Sequence, residues 1–150
     1  DNEEGKIRHL INPDDLMEYG FIPEFVGRLS VIATLDNLRR EELIQVLTEP
    51  KNAFIKQYEY LFQMDDVRLE FTENALSAAA DKAIAQNTGA RGLRAILEST
   101  LLDVMYELPS LQDVTHCIVD ANAINGEGPV EMSKEGGELI QLPGLQRRSA

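Results

Sequence analysis

The sequence predicts an α+β domain, mostly helical, with about four helices around a small sheet, preceded by the C-terminal end of a separate α/β domain. Three observations predict it. Between residues 39 and 109, apolar residues recur at helical spacing in four punctuated segments. Two short stretches, Val67 to Phe71 and Thr115 to Val119, have strand character. Before residue 37 the chain is broken by Pro and Gly into pieces too short for a core of their own. The expected organisation is residues 1–37 as the end of the preceding domain and hinge, 38–121 as the helical domain, and 122–150 as a flexible tail.

Residues 1–12 are polar and without period, as a linker or a detached strand would be. Asn12 or Pro13 opens a short helix from Asp14 to Tyr19, which Gly20 stops. Pro23 starts a second short helix through Gly27, since its fixed φ suits a first helical position. Leu29 to Leu35 carries Val31, Ile32 and Thr34 and reads as a strand. Residues 36–38 read as a hinge.

The helical domain is easier to parse. Leu43, Ile44, Val46 and Leu47 form one face of a helix starting at Arg39, and Pro50 predicts a break near Thr48-Glu49. Phe54, Tyr58, Leu61 and Phe62 follow at i, i+4, i+7 and i+8. Val67 to Phe71 alternates as a half-buried strand does. Thr72 is a natural cap for a helix facing inward through Leu76, Ala79, Ala80, Ala83 and Ile84. The last long helix begins near Arg91, carries Leu93, Ile96, Leu97, Leu101, Val104, Met105 and Leu108, and ends at Pro109. Thr115 to Val119 is placed to pair with Val67 to Phe71. From Asn122 the chain turns Gly-rich and unpatterned, which predicts a loose tail.

Composition narrows the function. The 150 residues are 43% hydrophobic and 27% charged, with a formal net charge of −12. No basic stripe is available to release counterions from a duplex, so nucleic acid is not an expected partner. No apolar run approaches the roughly 18 residues that span a bilayer, so no membrane is expected. The chain begins at Asp1 without an initiating Met, as a fragment or processed product would, and its acidic start is unlike a secretory signal. Cys117 is the one cysteine, which excludes an intrachain disulfide and suits a reducing compartment. Within a strand it reads as a buried thiol rather than a nucleophile. His9 and His116 lack the Cys or carboxylate spacing of a metal site, so none is expected.

Two arginine motifs carry the chemistry. In Asn87-Thr88-Gly89-Ala90-Arg91-Gly92-Leu93-Arg94 a glycine-punctuated turn delivers Arg91 to the first turn of a long helix. Helix N-termini favour anions, and a guanidinium adds a full charge and a planar fork of donors suited to phosphate. In Ile22-Pro23-Glu24-Phe25-Val26-Gly27-Arg28-Leu29 a second arginine, Arg28, follows a short helix, with Glu24 placed for a local i−4 pair. No Gly-x-x-x-x-Gly-Lys-Ser/Thr phosphate loop and no apolar strand ending in Asp-Glu occurs among the 150 residues.

The chain resembles the ClpX family of AAA+ ATPases, the unfolding subunits of the Clp protease. The resemblance runs from about Pro13 to Asp120. It is carried by Gly20 to Leu29, by Leu47-Thr48-Glu49-Pro50-Lys51-Asn52-Ala53, by Thr88 to Arg94, and by Leu101-Leu102-Asp103-Val104-Met105-Tyr106-Glu107-Leu108-Pro109. It implies that residues 38–121 are an AAA+ small (lid) domain and that the preceding segment is the end of the large α/β domain. Arg91 falls on the sensor-2 arginine, which reaches the ATP phosphates of its own subunit. Arg28 falls on the arginine finger, catalytic in trans at the neighbouring subunit's γ-phosphate. Leu38 and Val46 would lie on the adenine side. The cofactors implied are ATP and Mg²⁺, bound mainly by the large domain, with zinc in an N-terminal module. The partners implied are neighbouring subunits of a homohexamer, the ClpP peptidase, and tagged or unfolded protein substrates, in a bacterial cytoplasm or an organelle matrix or stroma. Ser30 stands where many members carry Pro. The related HslU unfoldases share the first arginine motif and a Gly-Ala-Arg turn, and an HslU-type lid remains an alternative. A free-standing, non-catalytic interaction module is another, favoured by the acidic composition.

Overall fold

The computed structural model describes residues 7–29, 31–111 and 113–140. The chain divides into two units, Asp1–Asn37 and Leu38–Ala150. Ser30, the sequence before Ile7 and the last ten residues, with Arg147 and Arg148, lie outside the described residues.

In the first unit, α1 spans Pro13–Tyr19 and α2 spans Pro23–Val26. Local chemistry sets both. The Asn12 side chain accepts from the Asp14 and Asp15 amides at 2.8 and 3.1 Å, and Asp15 accepts from the Asn12 amide at 2.8 Å, closing a capping box. Gly20, at φ +117°, ends α1 in the left-handed region. The strand expected over Leu29 to Leu35 is absent from its described residues. Val31 and Leu35 are exposed, and no strand elsewhere in the described chain pairs with the segment. β propensity becomes a strand only where another strand supplies the ladder.

The second unit holds the core. Its helices are α3 (Arg40–Thr48), α4 (Phe54–Gln63), α5 (Glu73–Ala85), α6 (Ala90–Glu107) and the short α7 (Ala121–Asn125). Its strands are β1 (Arg68–Phe71), β2 (Val114–Val119), β3 (Glu131–Lys134) and β4 (Leu139–Ile140). They form one sheet in chain order: β1 and β2 are parallel, with Arg68 opposite His116, and the remaining pairs are antiparallel. The parallel pair is possible because α5 and α6 form the crossover between its strands. A register shift between Val114 and His116 lets Val114, Cys117 and Val119 all be buried.

Helix α5 is the hub on which α3, α6 and α7 pack. Its buried face is Ala75, Ala79, Ala80 and Ala83, whose short side chains admit neighbouring helices closely. Thr72 caps it by accepting from the Ala75 amide at 3.1 Å. Leu43 and Leu47 of α3 and Leu93, Leu97 and Leu101 of α6 are fully buried beside Phe62 of α4.

Three expected core positions are corrected. Leu61 and Ile84 are exposed, and Met105 lies at the edge of exposure. On α4 the buried pair is Ile55 and Phe62; Leu61 stands about 120° around the helix from Ile55. The loose tail expected from residue 122 also fails as far as residue 140. Asp120 caps α7 by accepting from the Ala123 amide at 2.8 Å. Val130 and Met132 enter the core, and Gly136 and Gly137, at φ +111° and +85°, turn β3 into β4.

Candidate functional site

The segment joining α5 to α6 is a tightly specified turn. Asn87, at φ +56°, is left-handed. Its amide donates to the Ile84 carbonyl at 2.9 Å, and the Thr88 amide donates to the Ala83 carbonyl at 3.1 Å. This crossed pair is the Schellman arrangement that satisfies the last carbonyls of α5. The Thr88 hydroxyl adds a bond to the same Ala83 carbonyl at 3.3 Å. Gly89, at φ +55° and ψ −147°, is the N-cap of α6 in a conformation that only glycine adopts easily.

Arg91 is therefore the second residue of an 18-residue helix. It is exposed, and among the described residues its guanidinium has neither an ion pair nor a hydrogen bond. The first amides of α6 and this charge are together the kind of positive end that anions occupy. Gly92, buried in the next position, has its amide bonded to the Gly89 carbonyl at 3.1 Å.

Arg28 belongs to the other unit, just after α2. It too is exposed and without a guanidinium partner among the described residues, so the possible pair with Glu24 is not formed. Arg40 behaves differently: its Nε and Nη2 reach the two Asp81 oxygens at 2.7 and 3.2 Å and tie α3 to α5. Leu38 is exposed at the start of the second unit. Val46 is half-buried on α3, packed against the core. Arg28 and Arg91 lie in separate units of the chain.

Burial pushes the Cys117 thiol up to about 12, so it stays protonated and inert. The Tyr58 phenol is raised, first by its partial burial and then by Glu98, against an opposing pull from Arg94. His9 sits 2.7 Å from Thr34 Oγ1 and 3.3 Å from Asp36. His116 Nε2 lies 3.3 Å from Glu70 Oε2 across the β1–β2 pair, at an angle that makes no hydrogen bond. Among the described residues, no three His, Cys, Asp or Glu side chains converge as metal ligands. No helix among them is long and apolar enough to cross a membrane.

The sequence pointed to Arg91 but not to the fit of its neighbours Thr88 and Gly92. That fit depends on the backbone path through a left-handed turn, which no periodicity reveals.

A mostly helical unit with a small four-stranded mixed sheet has the architecture of an AAA+ small lid domain. Residues 38–119 match the family model of the C-terminal, D2-small domain of ClpB protein, and the chain belongs to this family. It is 46% identical over 122 residues to the ATP-dependent Clp protease ATP-binding subunit ClpX 3 of Methylococcus capsulatus, covering 81% of this chain and 28% of that protein. It is likewise 46% identical over 114 residues to the ATP-dependent Clp protease ATP-binding subunit ClpX of Treponema denticola, covering 76% of this chain and 28% of the relative. The chain thus spans little more than a quarter of the length of these relatives.

Proposed function

We propose that the chain is the C-terminal part of a ClpX-type ATP-driven unfoldase that passes tagged or unfolded proteins to the ClpP peptidase. The observation that carries this reading is Arg91: a charged fork on the first turn of a long helix, fixed by a capped turn and paired with nothing within the described chain. The ClpX names of both relatives favour it over an HslU-type lid. In this reading Arg91 is the sensor-2 residue and binds the ATP phosphates of its own subunit. It thereby links phosphate occupancy to movement of the domain that carries it. Arg28 is the finger that reaches the γ-phosphate in the next subunit of a homohexamer. Leu38 and Val46 contribute to the adenine side. The phosphate loop and the Mg²⁺ ligands come from the large domain. When bound, Mg²⁺ neutralises charge on the transferring phosphoryl group. Zinc belongs to an N-terminal module, and the assembly works in a bacterial cytoplasm or an organelle matrix.

The role of each arginine is electrostatic. Negative charge shifts among the phosphoryl oxygens as the bond to the leaving group breaks, and a positive fork placed there in advance needs no reorganisation. An arginine finger contributes roughly 10³–10⁵ to turnover in phosphoryl transfer. In the full-length ATPase, Arg28→Ala is expected to cut ATP hydrolysis steeply while ATP binding persists. Arg91→Ala is expected to weaken nucleotide binding, and so to lower hydrolysis, and to separate the hydrolysis that remains from substrate unfolding. Hydrolysis rate, nucleotide affinity and unfolding of a tagged substrate check both. Normal turnover by the assembled Arg28→Ala hexamer, or normal unfolding by Arg91→Ala, overturns the respective assignment.

A further inference from the structure

We propose that Thr88 and Gly92 are positioning residues that interlock across the α5–α6 turn and fix where Arg91 points; the proposal rests on reading Arg91 as a phosphate-binding arginine. No partner within the described chain holds the Arg91 side chain, so its direction is inherited from the backbone of the first turn of α6. That backbone is pinned on one side by Thr88. A Cβ added at Gly92 would overlap Thr88 Oγ1 and lie 2.7 Å from Thr88 Cβ. Rotating χ1 of Thr88 would move Oγ1 but not Cβ, so the second overlap has no side-chain remedy. The Thr88 hydroxyl is also engaged with the Ala83 carbonyl at 3.3 Å, and the Thr88 amide with the same oxygen at 3.1 Å. Thr88 is thereby anchored to the end of α5 and cannot yield without breaking that cap. Gly92 is itself buried.

Helix propensity points the other way: alanine is the better helix former at an interior position, and glycine weakens a helix. The first turn of α6 therefore gives up local helix stability at position 92 and gains close approach of Thr88. Close approach matters here because the neighbouring residue is Arg91. A displacement of this turn is carried directly to a long side chain whose value depends on where its donors arrive.

The test pairs a local probe with turnover. In the 150-residue chain, a nitroxide on Arg91→Cys reports the first turn of α6; buried Cys117 does not compete for the reagent, because burial keeps its thiol protonated. Gly92→Ala is expected to change the spectrum, and adding Thr88→Gly, which removes both overlapping atoms, is expected to restore it. In the full-length ATPase, Gly92→Ala is expected to lower turnover about 10²-fold, the loss that accompanies a misplacement of ~1 Å. Thr88→Gly is expected to recover most of it, and in an Arg91→Ala background Gly92→Ala is expected to cost nothing more. An unchanged spectrum in Gly92→Ala overturns the interlock. A changed spectrum with normal turnover, where Arg91→Ala itself is impaired, overturns the positioning role. Normal turnover by Arg91→Ala overturns instead the phosphate reading on which the role depends.

Discussion

Residues 7–37 and residues 38–140 obey the same local rules and end very differently. Both parts use side-chain caps and left-handed glycines at helix ends. In the first, Asn12, Pro13 and Gly20 build α1, yet α1 buries nothing. Val26 is the one buried hydrophobic residue there, and Tyr19, Phe21 and Phe25 stack as exposed rings. In the second, comparable caps enclose an apolar cluster that runs through every helix and reaches three of the four strands. Local signals therefore choose the elements, whereas burial decides which of them count toward stability.

The strongest way to break this comparison is to truncate one large side chain in each part. Leu97→Ala is expected to cost about 2–5 kcal/mol, because a fully buried leucine leaves a cavity. Phe25→Ala, at a site 47% exposed, is expected to stay within about 0.5 kcal/mol. Urea unfolding followed by circular dichroism separates the two, and equal costs would mean that Phe25 has a core of its own.

A pH series sharpens the picture of that core. The Cys117 thiol titrates near 9.0 when exposed and near 12 when folded. Above pH 9 the unfolded chain releases this proton and the folded chain keeps it, so stability falls as pH rises toward 12. The slope from this group is about 1.4 kcal/mol per pH unit. Cys117→Ala is expected to flatten the alkaline limb of stability against pH, and an unaltered limb would show that the thiol is hydrated.

The smallest contrast compares caps. Thr72→Ala is expected to lower global stability by about 1 kcal/mol, since α5 is the hub of the core. Asn12→Ala removes a better-formed capping box, yet is expected to leave the unfolding midpoint in place and only speed amide exchange at Asp14 and Asp15. A matching drop in midpoint would mean that α1 unfolds together with the core.

The same distinction explains what was legible in the sequence. Helices α3 to α6 could be read because Pro50, Thr72, Gly89 and Pro109 punctuate strong periodic segments. The partnership of β1 and β2 was legible as two stretches of strand character on either side of a helical pair, whereas its parallel direction was not. Leu29 to Leu35 misled because its composition favours a strand while nothing in the described chain completes one. Strands β3 and β4 stayed hidden for the opposite reason. Glu131-Met132-Ser133-Lys134 has almost no pattern of its own and is held by β2 and by the burial of Met132. At the candidate site, Arg91 was visible as a charge in a motif. The fit between Thr88 and Gly92 needed the backbone path.

The order of the sheet also has a consequence for how the chain is made. β1 cannot pair until β2 exists, and β2 lies beyond both long helices. Val130 and Met132, which finish the core, come later still. During synthesis from the N-terminus, the segments of α3 to α6 emerge with their apolar residues before the layer that covers them. Apolar residues of the nascent domain thus stay uncovered until β2 and β3 have left the ribosome, because pairings distant in sequence close late.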